Sequence, residues 1–339
     1  MREKGKMPTA LITSTGSVAT DIVLKTLKRL GYRTVGCNIY PKEWVVESCD
    51  VDIFHKIPRI SDSQEYLEAI KKICLADGVN YVLPMIDYEI DIFNQNREWF
   101  KNHGIILCMS PKNTLDIVRN KKALADFVRD NCPETQYIPT EFLCDLKTLP
   151  WQFPVVCKPA NGRSSQGLIF VYNEQEWQTF LKEEKSGNYI VEPFIEGPIV
   201  MAEVVHQHQG NRTAVMIRRE LTSTPNGCST CVYVFDDPKL ADSTRILAEK
   251  LGIEGDVNFE YILDNHGTYH LVECNPRFSA GCEFACLGGY DCVENHLRCF
   301  TGQPIDAYEF RHTMVISRKY EEYVTAKDVI VPVESKTYH

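Results

Sequence analysis

The chain has 339 residues, 44% hydrophobic and 24% charged, with a net charge of -9 and a pI near 5.6. That length suits about two or three domains with their own cores, and the composition is that of a globular protein. The acidic balance argues against a broad nucleic-acid or anionic-membrane footprint, and no apolar run reaches the roughly 18 residues of a membrane span.

The N-terminal stretch MREKGKMPTALIT carries basic residues, but its apolar run is too short for a secretory signal, so a cytoplasmic protein is expected. Residues 9–13 (TALIT) read as a buried strand, and residues 14–18 as a small-residue turn. A helix then carries Ile22, Val23, Leu27 and Leu30 on its apolar stripe and stops at Gly31. Residues 34–38 form a second strand, 66–75 an amphipathic helix, and 81–85 and 105–109 two further strands. Alternation of strands and helices predicts a doubly wound parallel sheet. Only Gly16 stands where a G-x-G-x-x-G would place three glycines, and the second strand ends in Asn38 rather than an acid, which argues against NAD. The turn at 14–18 reads either as an anion site at a helix N-terminus or as plain tight packing. Asp87 and Glu89 follow the strand ending Pro84-Met85 at the carboxyl end of the sheet, where such sheets place ligands, but read first as exposed loop acids.

Residues 114–130 read as one charged helix, and Pro133, Pro139, Pro150 and Pro154 then punctuate the chain. From Val155 onward the texture becomes α+β. Strand-like segments at 155–159, 167–172, 189–195, 200–206, 213–218, 231–235, 257–263 and 268–273 are interrupted by helices at 174–185 and 240–251, as in an antiparallel sheet. The fourteen cysteines are scattered. Cys37, Cys74, Cys108 and Cys157 lie in apolar segments and read as packing thiols. Cys228 and Cys231 form a C-x-x-C with no second pair, and Cys282, Cys286, Cys292 and Cys299 fit no cluster pattern.

The chemistry concentrates late in the chain. In the stretch HLVECNPRFSAG, the polar residues Glu273, Asn275 and Arg277 alternate with Cys274 and Pro276, which puts them on one strand face. Glu260 stands thirteen residues upstream, across the hairpin turn Asp264-Asn265-His266-Gly267. Paired around that turn, Glu260 and Glu273 would repel unless a cation lay between them. With Asn275 they make an oxygen-only set suited to Mg²⁺ (Mn²⁺ is the alternative), which draws its other ligands from water and nucleotide phosphates. Upstream, Lys158 ends an apolar strand just before a loop holding Gly162, Ser164, Ser165 and Gly167, whose backbone N–H groups suit phosphates. Glu192, Pro193, Phe194 and Ile195 close a strand beside a flat apolar slot, where backbone groups can read an adenine edge.

Taken in order, Lys121, Lys158, the loop 162–167, the EPFIEG hinge and Glu260…Glu273-x-Asn275-x-Arg277 resemble the ATP-grasp superfamily. The nearer likeness is to its carbamoyl-phosphate-synthase-like, carboxylate–amine ligase branch. The resemblance spans nearly the whole chain and implies a pre-ATP-grasp α/β domain at 1–110. A helical linker and small lid subdomain follow at 111–192, and a large subdomain with an antiparallel sheet at 193–339. It implies that Lys121 (with Lys122 as the register alternative) and Lys158 hold ATP phosphates while the 162–167 loop covers them. Residues 192–195 then form the adenine hinge, Glu260, Glu273 and Asn275 ligate the metal, and Arg277 and Lys158 serve the transferred phosphate. The acid that commonly contacts ribose is replaced by Ile199, leaving Glu196 or Glu203 for that role.

The implied activity is Mg²⁺-dependent activation of a small carboxylate as an acyl phosphate, followed by displacement with an amine and release of ADP and phosphate. A non-catalytic ATP-binding regulatory protein is the alternative, and a kinase or carboxylating enzyme would use the same ATP site. Expected partners are the small-molecule carboxylate and amine, without nucleic acid or membrane, in a possible homodimer. Either Arg218 or Arg219 is expected to face the cleft. Ser279, Gly281 and Glu283 read either as acceptor-side residues or as a turn and helix cap. His206 and His208, flanking the turn Gln209-Gly210-Asn211, read as exposed.

Overall fold

The computed structural model describes residues 7–162, 166–183, 188–225 and 227–330. β1 (Thr9–Ile12), β2 (Arg33–Asn38), β3 (Ile53–Lys56), β4 (Tyr81–Leu83) and β5 (Ile106–Leu107) form a parallel sheet in the order β3-β2-β1-β4-β5. Helices α1 (Thr20–Arg29), α2 (Ser63–Asp77), α3 (Asp87–Gln95) and α4 (Arg97–Asn102) lie between its strands. The strand order reverses between β1 and β4, which makes their carboxyl ends the place where such sheets put ligands. β1 is buried on both faces, as its unbroken apolar run requires. Leu11 packs among Tyr66, Ile70 and Phe93, whereas Ala10 and Ile12 join Val23, Leu27 and Val293.

Residues 114–130 are two helices, α5 (Lys112–Val118) and α6 (Lys121–Asn131), rather than one. Asn120 breaks them: its side chain accepts from the backbone N–H groups of Lys122 and Ala123 and caps α6. β6 (Gln136–Tyr137) and β7 (Glu141–Phe142) follow. With β8 (Val155–Pro159), β9 (Ile169–Val171) and β10 (Tyr189–Pro193), β7 builds a small antiparallel sheet in the order β7-β10-β8-β9. Its own core joins Val155, Cys157 and Val191 to Trp177 and Phe180 of α7 (Glu174–Glu183).

The large sheet runs β16-β13-β12-β11-β14-β15-β6, antiparallel except where β6 meets β15. Its strands are β11 (Ile199–Gln207), β12 (Arg212–Ser223), β13 (Ser229–Val234), β14 (Gly255–Leu263), β15 (Tyr269–Asn275) and β16 (Met314–Ser317), together with β6. Alternation along β11 separates two faces: Val200, Ala202 and Val204 pack against Leu240, Leu247 and Leu251 of α8 (Pro238–Leu251). On the opposite face, Val205 packs with Phe278 and with α9 (Cys282–Leu287) and α10 (Cys292–Thr301). The architecture is therefore a doubly wound parallel sheet followed by an α+β unit of two antiparallel sheets. Among the described residues, no helix is long and apolar enough to cross a membrane.

Candidate functional site

A cavity of about 510 Å³ lies between the small sheet and the large one. Val156, Lys158 and Phe170 line it from the small sheet, and Ile199, Met201 and Ile262 from the large sheet. The strand β10 and the residues after it, Glu192 to Gly197, form its back edge, so the expected hinge residues Pro193, Phe194 and Ile195 all border it. Phe194 stands edge-on to Phe170, with ring centroids 5.8 Å apart. Gly197 lets the chain turn here, because any Cβ would collide with the Leu263 carbonyl across the sheet. Lined by Val156, Phe170, Phe194, Ile199 and Ile262, this end suits an apolar ring.

The other end is charged. Lys158 Nζ sits 2.7 Å from Glu192 Oε2, and the second Glu192 oxygen accepts from Thr140 Oγ1 at 3.0 Å. Glu192 is 4% exposed, so its role runs through its side chain's grip on Lys158 as well as through its backbone. Lys121 Nζ is 2.7 Å from Glu273 Oε2 and donates to the Gly162 carbonyl at 2.9 Å. The first residue of α6 is thereby tied to both the expected metal site and the expected phosphate loop. Gly162 borders the cavity, and Gly167 keeps a φ of +73° beside Pro159. Ser164 and Ser165 lie outside the described residues.

Glu260 and Glu273 are direct cross-strand partners on β14 and β15, and both line the cavity. Asn275 Nδ2 bridges them, donating at 3.0 Å to Glu260 Oε1 and 3.3 Å to Glu273 Oε1. Burial, then the Glu273 charge, push the Glu260 carboxyl up to about 7. Burial also works to raise Glu273, but Lys121 outweighs it and holds that carboxyl below its usual range. Two clustered acids, one of them proton-hungry at neutral pH, suit a divalent cation that would replace the proton. The two carboxylates suit Mg²⁺, and Asn275, which here turns its nitrogen to them and its oxygen to Arg277, would join them as an oxygen ligand only with its amide turned over. Just beyond, Arg277 Nη2 donates to Asn275 Oδ1 and to Asp87 Oδ2, each at 3.1 Å.

Other sequence readings are corrected. Glu203 does not border the cavity: it is 3% exposed, its carboxylate 2.7 Å from Arg218 Nη1 and accepting from Ser279 Oγ and Asn258 Nδ2. Glu196 and Glu220 do border it, and Glu220 Oε2 accepts from Ser229 Oγ at 2.7 Å. Neither Arg218 nor Arg219 borders the cavity: Arg218 is wholly buried on Glu203 and Ser279, and Arg219 lies over the Tyr233 ring. Asp87 and Glu89 are buried rather than exposed loop acids, because each found partners that a sequence does not display. Glu89 accepts from Thr13 Oγ1, Ser14 Oγ, Tyr66 OH and the N–H groups of Met85 and Ile86. His206 is buried on Thr213 Oγ1, whereas His208 is exposed. The signal for Asp87 was its position directly after a strand at the sheet's carboxyl end. Thr140 and Glu220 gave no signal at all.

Known proteins share parts of this sequence and this fold. Residues 185–322 match the family model described as ATP-grasp in the biosynthetic pathway with Ter operon, and residues 11–108 match the PylC-like N-terminal domain. The carbamoyl phosphate synthase large chain of Clostridium acetobutylicum is 19% identical over 267 residues, covering 75% of this chain and 24% of the relative. The chain thus spans about a quarter of the length of the curated relatives it matches. A biotin carboxylase complex from Campylobacter jejuni shares the fold at a TM-score of 0.76 and 16% identity, covering 90% of this chain and 74% of that one. An L-amino acid ligase from Bacillus licheniformis does so at a TM-score of 0.67 and 18% identity, over 87% and 74% of the two chains. Residues 185–322 thus carry an ATP-grasp domain, and the chain has carbamoyl phosphate synthase large chains among its relatives.

Proposed function

We propose that the protein is an ATP- and Mg²⁺-dependent ligase that activates a small carboxylate as an acyl phosphate and joins it to an amine. The observation that carries this reading is the Glu260–Asn275–Glu273 cluster, tied through Lys121 to the Gly162 loop at the charged end of an apolar slot. In this reading Phe170, Phe194, Ile199 and Ile262 enclose adenine, and the backbone of residues 193–195 reads its edge. Glu196 or Glu220, on the cavity wall, takes the ribose hydroxyls in place of Glu203. Lys121 and Lys158 neutralise phosphate oxygens beside Gly162. Glu260, Glu273 and Asn275 would hold Mg²⁺, which supplies charge neutralisation along the phosphate chain.

A carboxylate is a poor electrophile, so its oxygen first takes the γ-phosphoryl group, and the amine nitrogen then attacks the acyl carbon and expels phosphate. Positioning and charge neutralisation by lysine and arginine account for the first step without a protein nucleophile. The division into units 1–110, 111–192 and 193–339 and a cytoplasmic location belong to the same reading. So do small-molecule partners and a possible homodimer. Its test is a panel of carboxylates paired with amino acids in the presence of Mg·ATP, read by ADP and phosphate release. Release with a specific pair is expected. Tight Mg·ATP binding with silence across a broad panel would replace the ligase with a regulatory ATP-binding protein.

A further inference from the structure

Arg277 does not stand alone beyond the Glu260–Glu273 pair. Its Nη2 carries two hydrogens, and they point to Asn275 Oδ1 and Asp87 Oδ2, each 3.1 Å away. Asn275 belongs to the large sheet, but Asp87 is the first residue of α3 in the N-terminal domain, 190 positions away in sequence. Asp87 is 4% exposed, and its other oxygen meets Arg119 Nη1 at 3.2 Å. Arg119 in turn forks onto Asp91 at 2.9 and 3.0 Å. Positive and negative groups therefore alternate along Arg277, Asp87, Arg119 and Asp91. Such a chain is self-compensating, which is the condition under which buried charges hold their places.

A guanidinium recognises a phosphoryl group through a planar fork, so its orientation matters as much as its charge. Within its own domain the guanidinium is held by neutral partners alone, Nη2 on Asn275 Oδ1 at 3.1 Å and Nη1 on the Phe278 carbonyl at 3.4 Å. Asp87 adds a charged partner from the other domain. We propose that Asp87 is a positioning residue that orients Arg277 toward the transferred phosphoryl group, so that the N-terminal domain completes the phosphoryl end of the site. The inference rests on the ATP-dependent reading above. A purely structural ion pair would predict something different, since its loss would act on stability and on every ligand alike.

The test uses the full chain and isothermal titration, first with Mg·ADP and then with orthovanadate, a phosphate-shaped anion, added to the Mg·ADP-saturated protein. Asp87→Asn is expected to keep Mg·ADP affinity within threefold and to lose at least tenfold in vanadate affinity. Arg277→Gln should show the same vanadate loss, and the double variant should be no worse than Arg277→Gln alone, because Asp87 acts through that side chain. Asp87→Glu, which keeps the charge one methylene further out, should fall between wild type and Asp87→Asn, and it serves alone if Asp87→Asn does not fold. Wild-type vanadate affinity in both Asp87 variants, or losses that add in the double variant, would overturn the inference. So would a wild type that takes Mg·ADP but no vanadate, with the nucleotide reading intact. Absence of Mg·ADP binding would instead remove the ATP-dependent reading itself.

Discussion

Lys158 and Glu192 are each nearly enclosed, with side chains 12% and 5% exposed and a 2.7 Å contact between them. Removing one member of such a pair strands the other charge away from water. Lys158→Met is therefore expected to destabilise the protein by about 3 kcal/mol and to weaken Mg·ATP binding. Adding Glu192→Gln removes the stranded charge and should recover at least half the stability, by urea denaturation, without recovering nucleotide affinity. Recovery of both would mean that Lys158 is a packing residue. Glu260 behaves differently, because its carboxyl is pushed up to about 7 by burial and by Glu273. A raised carboxyl favours the folded state while protonated, so this contribution is full below about pH 4.5 and is lost as pH rises through about 7. Without divalent cations, Glu260→Gln should be more stable than wild type above pH 7, the gap narrowing to nothing below about pH 5. Saturating Mg·ADP should reverse that order at high pH, since only the wild type gains a ligand for the ion. A pH-independent gap in melting temperature would refute the assignment.

At the scale of elements, the loop joining β15 to α9 holds the buried charges in place. A Cβ on Gly281 would lie 2.5 Å from Arg218 Nη2 and 2.8 Å from its Cζ, and Arg218 is pinned by Glu203 and Ser279. The arginine has nowhere to go, so Gly281→Ala should cost about 2 kcal/mol, seen as a lower urea midpoint with an unchanged slope. An unchanged midpoint would show that the loop yields. The hairpin beside it explains what could and could not be read in advance. Its turn and both strands were legible from Asp264 to Gly267 and from the flanking apolar runs. Register was not. Leu263, Ile262 and Tyr261 pair with Tyr269, His270 and Leu271, and continued regularly that series would put Val272 opposite Glu260 and turn Glu273 toward the core. A bulge at this point gives Val272 and Glu273 to the cavity together and returns Cys274 to the core. The facing acids were read correctly, yet the device that makes them face leaves no periodic trace. Asn120 is a comparable case, since a residue inside an apparently continuous charged helix capped a new one instead.

Across the whole molecule, what the sequence could not display is the packing of the N-terminal domain on the large sheet. Arg29 of α1 pairs with Asp291 and Glu294 beside α10, and Ile12 shares a core with Val205 and Val293. Alternation marked each of these residues as inward without saying against what. The same junction buries ionisable groups with opposite consequences for acid stability. His296 is 3% exposed, its Nδ1 accepts from the Asp256 N–H at 2.8 Å, and burial pushes its imidazole down to about 3. Burial likewise holds His206 at about 4. Asp256 and Glu260 are shifted upward, both chiefly by burial. A depressed histidine stabilises the fold above its unfolded value of about 6.5 and loses that contribution as pH falls. The raised carboxyls, Glu89 and Glu254 among them, gain over much of the same window, so the two limbs overlap in the wild-type profile. His296→Gln isolates one limb, because its amide oxygen can still accept from Asp256 N–H but never takes up a proton. Relative to that variant, the wild type should lose about 1.4 kcal/mol per pH unit below 6.5, or about 2.7 kcal/mol by pH 4.5, in parallel urea titrations. A constant difference over that range would mean that His296 charges inside the folded protein, and that the junction of the two domains opens to water in acid.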